Sequence, residues 1–273
     1  MNDARVTLDA LPPARPRPVQ WQRLRAQLAI LWQADPAKVL DAAYSVGDAL
    51  GGMSDERHLR RFLATPTGQD LLAKRPSLPD ALADHAALRQ MQPGSLGRAF
   101  LAFSERHGLD VRKLVESQHA MSRDHAGLDP LRQWLDDRFT VMHDLWHVLA
   151  GYDATHAGES ALMCFSLPQR VNDRALPIFI VMSLLTRRIS ARCVAEAISR
   201  GRRAERLVAQ PFEELLPLPL EAVRERLGIT PPAVGHPGPT PLAMLIPEAC
   251  AQPRKQEGDR CRIRKRWRAA WRW

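Results

Sequence analysis

Two histidines four residues apart are the residues most able to do chemistry in this chain. His143 and His147 lie in an apolar stretch, Asp144 follows the first directly, and eleven residues separate the second from Glu159. On a helix, a spacing of four places both imidazoles on one face, one turn apart, which is how the zinc-protease helix grips its metal. Asp144 lies about 100° round the helix, as a third ligand or as the group that orients a histidine or a metal-bound water.

Glu159 is predicted to approach these histidines from a second helix. Gly151 can end the first helix and let the chain turn back, so that Glu159 begins the following one. Two histidines with one or two carboxylates suit Zn, Fe(II), Mn or Co, and they leave coordination positions for substrate or water. This mixed set of donors does not select one metal.

Three alternative interpretations stay open at the level of spacing. Isolated histidines on apolar helices are usually structural, although burying this many charges without a partner is costly. A metal phosphohydrolase would need a further upstream histidine, for which His119 and His125 are the candidates, and a distant aspartate. A zinc protease would need Glu where Asp144 stands. His156, Tyr152 and Asp153 are predicted to be loop residues.

The elements that must position these residues are predicted to be helices. Apolar residues recur at helical spacing almost throughout, and alternating apolar and polar runs are scarce. The chain is therefore predicted to be all-α, with a single helical domain and an apolar groove beside a metal-binding pair of helices. Helices are predicted at residues 19–32, 36–50, 55–63, 67–72, 98–107, 130–149, 158–165, 175–203, 213–216 and 219–227.

The positive charge is concentrated at one end of the chain. The sequence of 273 residues has a net charge of +9, and the segment 251–273, with nine basic and two acidic residues, carries +7 of it. We expect a flexible segment over 1–18, the helical domain over 19–229, a proline-rich linker over 230–241 and a basic, disordered tail over 242–273. The tail, with its three tryptophans, could alternatively bind an anionic membrane or nucleic acid; because the body is nearly neutral, we expect no nucleic-acid partner.

Composition excludes several classes of protein. Hydrophobic residues make up 45% and charged residues 25%, as in globular proteins. The four cysteines form no CxxC pair, which argues against a zinc ribbon or a disulfide scaffold. The first twenty residues hold charges and prolines but no apolar core, unlike a signal peptide. The longest apolar run, Ala175–Leu185, is too short to span a bilayer.

The sequence resembles the Coq-four family of ubiquinone (coenzyme Q) biosynthesis proteins. The pattern of His143, Asp144, His147 and Glu159 is that family's HDxxH-x11-E metal motif. Further segments agree, in order along the chain from about residue 39 to 229: the turn and helix start at 93–100, the approach to the motif at 138–144, and the C-terminal stretches 201–204, 212–214 and 219–229.

The resemblance implies a function and a ligand set. Family members act on polyprenylated benzenoid precursors of ubiquinone, with metal-dependent oxidative decarboxylation at ring carbon C1 as the implied activity. They are also regarded as organisers of a biosynthetic complex, so other ubiquinone-biosynthesis proteins and a membrane surface are expected partners, and a homodimer is one open alternative. His143, His147 and Glu159 are expected to be metal ligands, with Asp144 as a ligand or a catalytic partner of one.

A prenylated substrate would need an apolar groove and an anion site. The stripe that includes Phe179 and Met182 is the candidate groove, and Arg200, Arg202 and Arg203 are the candidates for a head group. Ordinary core packing and a solvated basic helix end are the competing explanations. A non-catalytic scaffold that binds prenyl lipid around a structural metal is the alternative function. With 34 Arg against 5 Lys and no transit-peptide pattern, we expect a bacterial cytoplasmic protein in peripheral contact with the inner membrane.

Overall fold

The computed structural model describes residues 16–33, 39–52, 54–121, 128–170, 174–185 and 189–233, all within one compact unit of the chain. In these ranges the protein forms fourteen α-helices, one short 3-10 helix and no strand, which confirms the all-α prediction. The predicted tail over 242–273, most of the predicted linker and most of the predicted N-terminal segment lie outside the described residues. The proposed division into these segments stays a prediction.

The helices follow one another with short connections. In chain order they are α1 (Trp21–Gln33), α2 (Val39–Leu50), α3 (Ser54–Leu63), α4 (Pro66–Lys74), α5 (Leu78–Ala83), α6 (His85–Gln90), α7 (Leu96–His107), α8 (Val111–Met121), α9 (Pro130–Ala150), α10 (His156–Ser166), α11 (Ala175–Leu185), α12 (Ala191–Arg203), the 3-10 helix (Leu207–Ala209), α13 (Phe212–Leu215) and α14 (Leu220–Arg226).

Helix α9 is the longest helix described and runs through the main apolar core. Thirteen of its residues are buried, and the core around them takes in Phe100, Phe165 and Phe212 from other helices. Arg138 of α9 is fully buried, and it forms a bidentate ion pair with Glu213 at 2.5 and 3.0 Å. A second, smaller core lies among α1, α2 and α11.

The observed helices differ from the predicted ones in two ways: one predicted helix is divided, and three observed helices were not predicted. The helix predicted over 175–203 is two helices, α11 and α12, and Ser190 caps the second by accepting a hydrogen bond from the Cys193 amide. Helices α5, α6 and α8 were not predicted from the periodicity. Two of them, α5 and α6, have six residues each, too few for a helical repeat to stand out.

Candidate metal centre

Two consecutive helices carry the candidate ligands. Asp129 caps the start of α9, and the Gly151 backbone at its end adopts a left-handed conformation with φ of 74°, which permits the turn. Thr155 then accepts a hydrogen bond from the Gly158 amide and begins α10. Glu159 falls in the first turn of α10, where a carboxylate is favoured by the helix dipole.

The donor atoms of three residues converge at the junction of α9 and α10. Nε2 of His143 lies 3.2 Å from Nε2 of His147. The carboxylate of Glu159 faces both rings, with Oε2 3.2 Å from His143 and Oε1 3.1 Å from His147. Asp144 forms a group with the same two histidines. One of its carboxylate oxygens lies within 4.8 Å of a donor nitrogen on each of them. The structure thus brings together the four residues expected from the sequence.

A hydrogen bond fixes the tautomer of His147. Its Nδ1 lies 3.3 Å from the backbone carbonyl of Tyr152. A carbonyl oxygen only accepts, so Nδ1 carries the proton and, in a neutral ring, Nε2 holds a free lone pair. Metal-binding histidines usually show this arrangement, in which the second ring nitrogen donates to a carbonyl or carboxylate. His147 is therefore prepared to donate from Nε2, the atom that faces Glu159.

The spacing of the donor atoms fits a divalent cation. Nitrogen and oxygen ligands lie about 2.0–2.2 Å from zinc, so two ligands of one tetrahedral or octahedral ion are about 3.0–3.5 Å apart. The separations of 3.1–3.2 Å among His143, His147 and Glu159 fall in this interval. Two imidazoles and a carboxylate are a donor set that zinc and non-haem iron both accept.

The charges at the site favour a cation. Burial alone would raise the pKa of the Glu159 carboxyl, but His147 and His143 outweigh it and hold that pKa well below its usual range. Burial would lower the pKa of His143, yet Glu159 raises it above the ordinary value. A protonated His143 would therefore place its positive charge beside Glu159, where a metal ion would otherwise lie.

Asp144 differs from Glu159 in its electrostatics. It is buried, and the loss of solvation raises the pKa of its carboxyl although His143 and His147 act in the opposite direction. A carboxyl group of raised pKa can take up a proton more readily than Glu159 can. Its position beside the histidines, at the edge of the donor cluster, therefore suits a residue that accepts or returns a proton.

The site is closed on one side and open on the other. The side chain of His147 is 1% exposed, whereas those of His143 and Glu159 are 34% and 27% exposed. The ring of Phe103, from α7, stacks on His147 with centroids 5.4 Å apart and covers the closed side. An ion held here would face solvent on the side of His143.

Three residues at this site were not predicted from the sequence. Tyr152 was expected only as a loop residue, and its carbonyl orients His147. Phe103 shields His147, and His107, one turn further along α7, packs its ring 4.7 Å from Phe103. Within the described part of the chain, Nε2 of His107 is buried without a hydrogen-bond partner. The sequence holds no signal for the contact of Phe103 with His147, because it joins segments far apart in the chain.

The predicted head-group arginines occupy different environments. Arg200 is 2% exposed, and its guanidinium donates inward to backbone carbonyls and to the Tyr152 hydroxyl. Arg202 and Arg203, on the same helix, are exposed. Contact of these three arginines with a head group stays a prediction. In Arg200 the guanidinium N–H groups that would bind a head group already donate to other residues of the protein.

An apolar depression lies between α1 and α11. It has a volume of about 530 Å³ and is lined by Leu28, Ala29, Trp32, Pro177, Ile178, Val181 and Met182. Met182 is thus at its surface, whereas Phe179 is 9% exposed and packs in the smaller core. None of the candidate metal ligands lines this depression, so a groove beside the metal helices stays a prediction.

His119, considered for a phosphohydrolase site, has a partner outside the cluster. Nε2 of His119 lies 2.5 Å from the carboxylate of Asp137, where the two half-buried side chains form their own pair. His125 lies outside the described residues. In the described ranges, moreover, no helix is both long and apolar enough to cross a membrane.

Comparisons with known proteins give one consistent result. A family model, described as coenzyme Q (ubiquinone) biosynthesis protein Coq4, matches residues 19–233. The chain is 30% identical to the ubiquinone biosynthesis protein COQ4 homolog of Bos taurus over 220 residues, which cover 71% of this chain and 79% of the relative. It is 30% identical to the Mus musculus homolog over 176 residues, which cover 61% of this chain and 62% of the relative.

A solved structure supports the fold. The chain resembles a crystal structure from Nostoc punctiforme, described as a candidate ubiquinone biosynthesis protein, with a TM-score of 0.52 and 20% identity. The match covers 77% of this chain and 99% of that chain. At this identity the likeness concerns the fold alone.

The expected bacterial cytoplasmic location is wrong in light of these relatives. The homologs from Bos taurus and Mus musculus are both named as mitochondrial proteins. The expectation depended on the excess of arginine over lysine and on the composition of the first residues. Neither property identifies a cellular compartment, since a folded domain of this composition is compatible with the bacterial cytoplasm and with mitochondria.

Proposed function

The chain belongs to the coenzyme Q (ubiquinone) biosynthesis protein Coq4 family, and from this we propose that it is a metal-dependent enzyme of ubiquinone biosynthesis. Its proposed reaction is oxidative decarboxylation at ring carbon C1 of a polyprenylated hydroxybenzoate. The observation that carries the proposal is the convergence of His143, His147 and Glu159 within 3.2 Å of one another on a partly exposed surface. A structural ion would not need an open side.

The reaction sets clear requirements for the site. The bond between ring C1 and the carboxyl carbon breaks, the carbon leaves as CO2, and a C–O bond forms at C1 in a two-electron oxidation that consumes an external oxidant. A divalent metal, when bound, supplies Lewis-acid stabilisation of the negative charge on substrate oxygens. His143, His147 and Glu159 would hold it.

The other residues of the site have roles that follow from their environments. Asp144, with the raised pKa of a buried carboxyl, would accept the proton released from the phenol or carboxylic acid and return it later. Phe103 excludes water from the side of His147. The exposed side of His143 and Glu159 would admit the ring.

The proposal is tested by metal content and turnover on the same preparations. We expect about one metal per chain in the wild type, after reconstitution with Zn, Fe(II), Mn or Co, and conversion of a prenylated hydroxybenzoate to the decarboxylated, hydroxylated product. Release of labelled CO2 from a carboxyl-labelled substrate identifies the bond that breaks. The double variant His143→Ala/His147→Ala should lose both properties and keep its helical circular dichroism.

A matched control removes a histidine elsewhere. His85 is the first residue of α6 and lies outside the donor cluster, so His85→Ala should keep metal and turnover. A wild-type protein that takes up none of these metals would contradict the enzyme proposal, as would turnover that survives in the double variant.

A second function is favoured by the apolar depression between α1 and α11. Its lining is apolar and includes the exposed side chains of Trp32 and Val181, as a scaffold that binds prenyl lipid would require. Such a scaffold would assemble other ubiquinone-biosynthesis proteins at a membrane surface, as a monomer or homodimer, around a structural metal. Binding of a prenyl lipid that is lost in Val181→Asp, with no turnover under any metal, would favour this second function over the first.

A further inference from the structure

The end of α9 next to the metal donors is closed by two arginines. The last four carbonyls of a helix have no partner within the helix. In α9 the carbonyl of His147 accepts from the amides of Gly151 and Tyr152. Arg224 donates to the other two inner carbonyls, from Nη2 to Val148 at 2.8 Å and from Nε to Leu149 at 3.0 Å.

The final carbonyl belongs to Ala150 and accepts from Arg200. Nη2 of Arg200 lies 2.6 Å from this oxygen. Two guanidinium groups therefore complete the helix end, and their positive charge is favourable at the negative end of the helix dipole. Arg200 comes from α12 and Arg224 from α14, so distant segments fix the position of the last turn of α9.

Arg200 also holds the residue that orients His147. Its Nη1 donates to the Tyr152 hydroxyl at 2.5 Å, and the guanidinium lies 5.0 Å from the centroid of the same ring. The Tyr152 carbonyl accepts a hydrogen bond from Nδ1 of His147. Tyr152 is thus held at its hydroxyl by Arg200 and at its carbonyl by His147.

The same arginine attaches the C-terminal end of the domain. Nε of Arg200 donates to the Thr230 carbonyl at 2.9 Å. Glu196, on the same helix as Arg200, accepts a further hydrogen bond from the Ala233 amide. Arg200 is 2% exposed, and it donates to uncharged oxygens of Thr230, Tyr152 and Ala150. A buried guanidinium is costly, and this one joins α12 to two other chain segments, at Ala150 and Tyr152 and at Thr230.

We propose that Arg200 and Arg224 are positioning residues for the metal centre, with Arg200 acting through Tyr152 on the tautomer and ring orientation of His147. This inference rests on the proposed metal site but not on its reaction. Partners of this kind affect metal affinity about 10- to 100-fold in other metal sites. Neither arginine touches the donor atoms, so the effect is transmitted by geometry.

The experiment compares Co(II) binding and visible absorption in Arg200→Lys, Tyr152→Phe, the double variant and the wild type. Lysine keeps the charge but cannot reach the separate acceptors of a guanidinium. We expect Co(II) affinity about 10-fold weaker in Arg200→Lys, with altered absorption bands, and a smaller loss in Tyr152→Phe. Because Arg200 acts through Tyr152, the double variant should bind no more weakly than Arg200→Lys.

Controls separate this effect from general destabilisation. Arg192→Met removes an exposed arginine at the start of the same helix and should keep the wild-type affinity and spectrum. All measurements are made well below the midpoint of thermal unfolding. Folded variants with wild-type affinity and spectrum would overturn the proposal, as would losses that multiply independently in the double variant. If Arg200→Lys does not fold, the Co(II) affinity and spectrum of Tyr152→Phe test the proposal: wild-type values in this variant would overturn it.

A metal-free measurement distinguishes failure of this inference from failure of the proposed function. Long-range proton–nitrogen NMR reports which ring nitrogen of His147 carries the proton. We expect Nδ1–H in the wild type and a mixture of tautomers in Tyr152→Phe and Arg200→Lys. Absence of Co(II) binding in the wild type would contradict the proposed metal function. An unchanged Nδ1–H tautomer in both variants would contradict the positioning role.

Discussion

Oε1 of Glu159 lies 3.1 Å from Nε2 of His147, although the two residues belong to different helices and the histidine side chain is 1% exposed. A buried imidazole nitrogen that faces a carboxylate at this distance shares either a proton or a cation with it. Nδ1 of His147 donates to the Tyr152 carbonyl, so in a neutral ring the lone pair of Nε2 is available to a cation.

Removal of the negative charge at Glu159 should weaken metal binding strongly. Glu159→Gln keeps the size of the side chain but loses the anionic donor, and we expect the affinity for Zn or Co to fall by more than about 100-fold. Competition with a chromophoric chelator measures the change. Glu225→Gln, at an exposed position of α14, is the control and should bind as tightly as the wild type.

Metal affinity should decrease as the pH falls. Burial lowers the pKa of His143 but Glu159 raises it further, so its pKa lies above 6.5 and the metal must displace a proton there. Affinity should rise with pH up to this pKa and level off above it. Calorimetry at pH 6 in two buffers of different ionisation enthalpy should show about one proton released per metal. Affinity that is constant between pH 6 and 9 would contradict this prediction.

The raised pKa of His143 also determines the direction in which the stability of the metal-free protein changes with pH. The folded pKa of His143 is raised, so its protonated form stabilises the fold fully below about pH 6.5, the unfolded value. This contribution is lost as the pH rises through the folded pKa. Urea denaturation with a chelator present, at pH values from 6 to 9, should show the loss in the wild type and a weaker pH dependence in Glu159→Gln.

The buried ion pair of Arg138 and Glu213 should be important for folding. Arg138 is fully buried, so Glu213→Ala leaves a buried charge without its carboxylate. We expect a loss of about 3 kcal/mol in the free energy of unfolding, measured by urea denaturation. Glu214→Ala removes the neighbouring exposed carboxylate, 3.8 Å from Lys74, and should change stability by less than about 0.5 kcal/mol.

Close packing of α10 and α12 depends on Gly201. A methyl group there would lie 2.0 Å from the Phe165 carbonyl oxygen, so the helices would have to separate. Gly201→Ala should destabilise the protein by about 3 kcal/mol, at the upper end for an overpacked site. Ala195→Ser, at an exposed position of α12, is the matched control and should be nearly neutral. Thermal melts that coincide for the two variants would contradict the packing argument.

The ligand set was within reach of the sequence because its determinants are local. Spacing of four residues on a helix gives the pair of His143 and His147, and a helix break at Gly151 returns the chain so that Glu159 can face them. The long helix α9 is also clear from its periodicity. The structure confirms the all-α fold, while the proposed roles of the ligands stay predictions.

The surroundings of the site could not be predicted in the same way. Phe103, Arg200 and Arg224 come from α7, α12 and α14, and their contacts depend on how these helices pack. In the sequence Arg200 belongs to a basic run with Arg202 and Arg203, and nothing local distinguishes the inward arginine from its exposed neighbours. Helix-scale patterns specify elements, whereas tertiary packing decides which polar groups are buried.

All four candidate ligands lie within residues 143–159, on two adjacent helices. Contacts between residues close in sequence form early in folding, because little loop entropy opposes them. A metal could therefore join α9 and α10 while α12 and α14 are still unattached. Stabilisation present in the transition state increases the folding rate, whereas later contacts mainly slow unfolding. We expect the metal to speed folding of the chain, and the arginines that arrive afterwards to govern how slowly it unfolds.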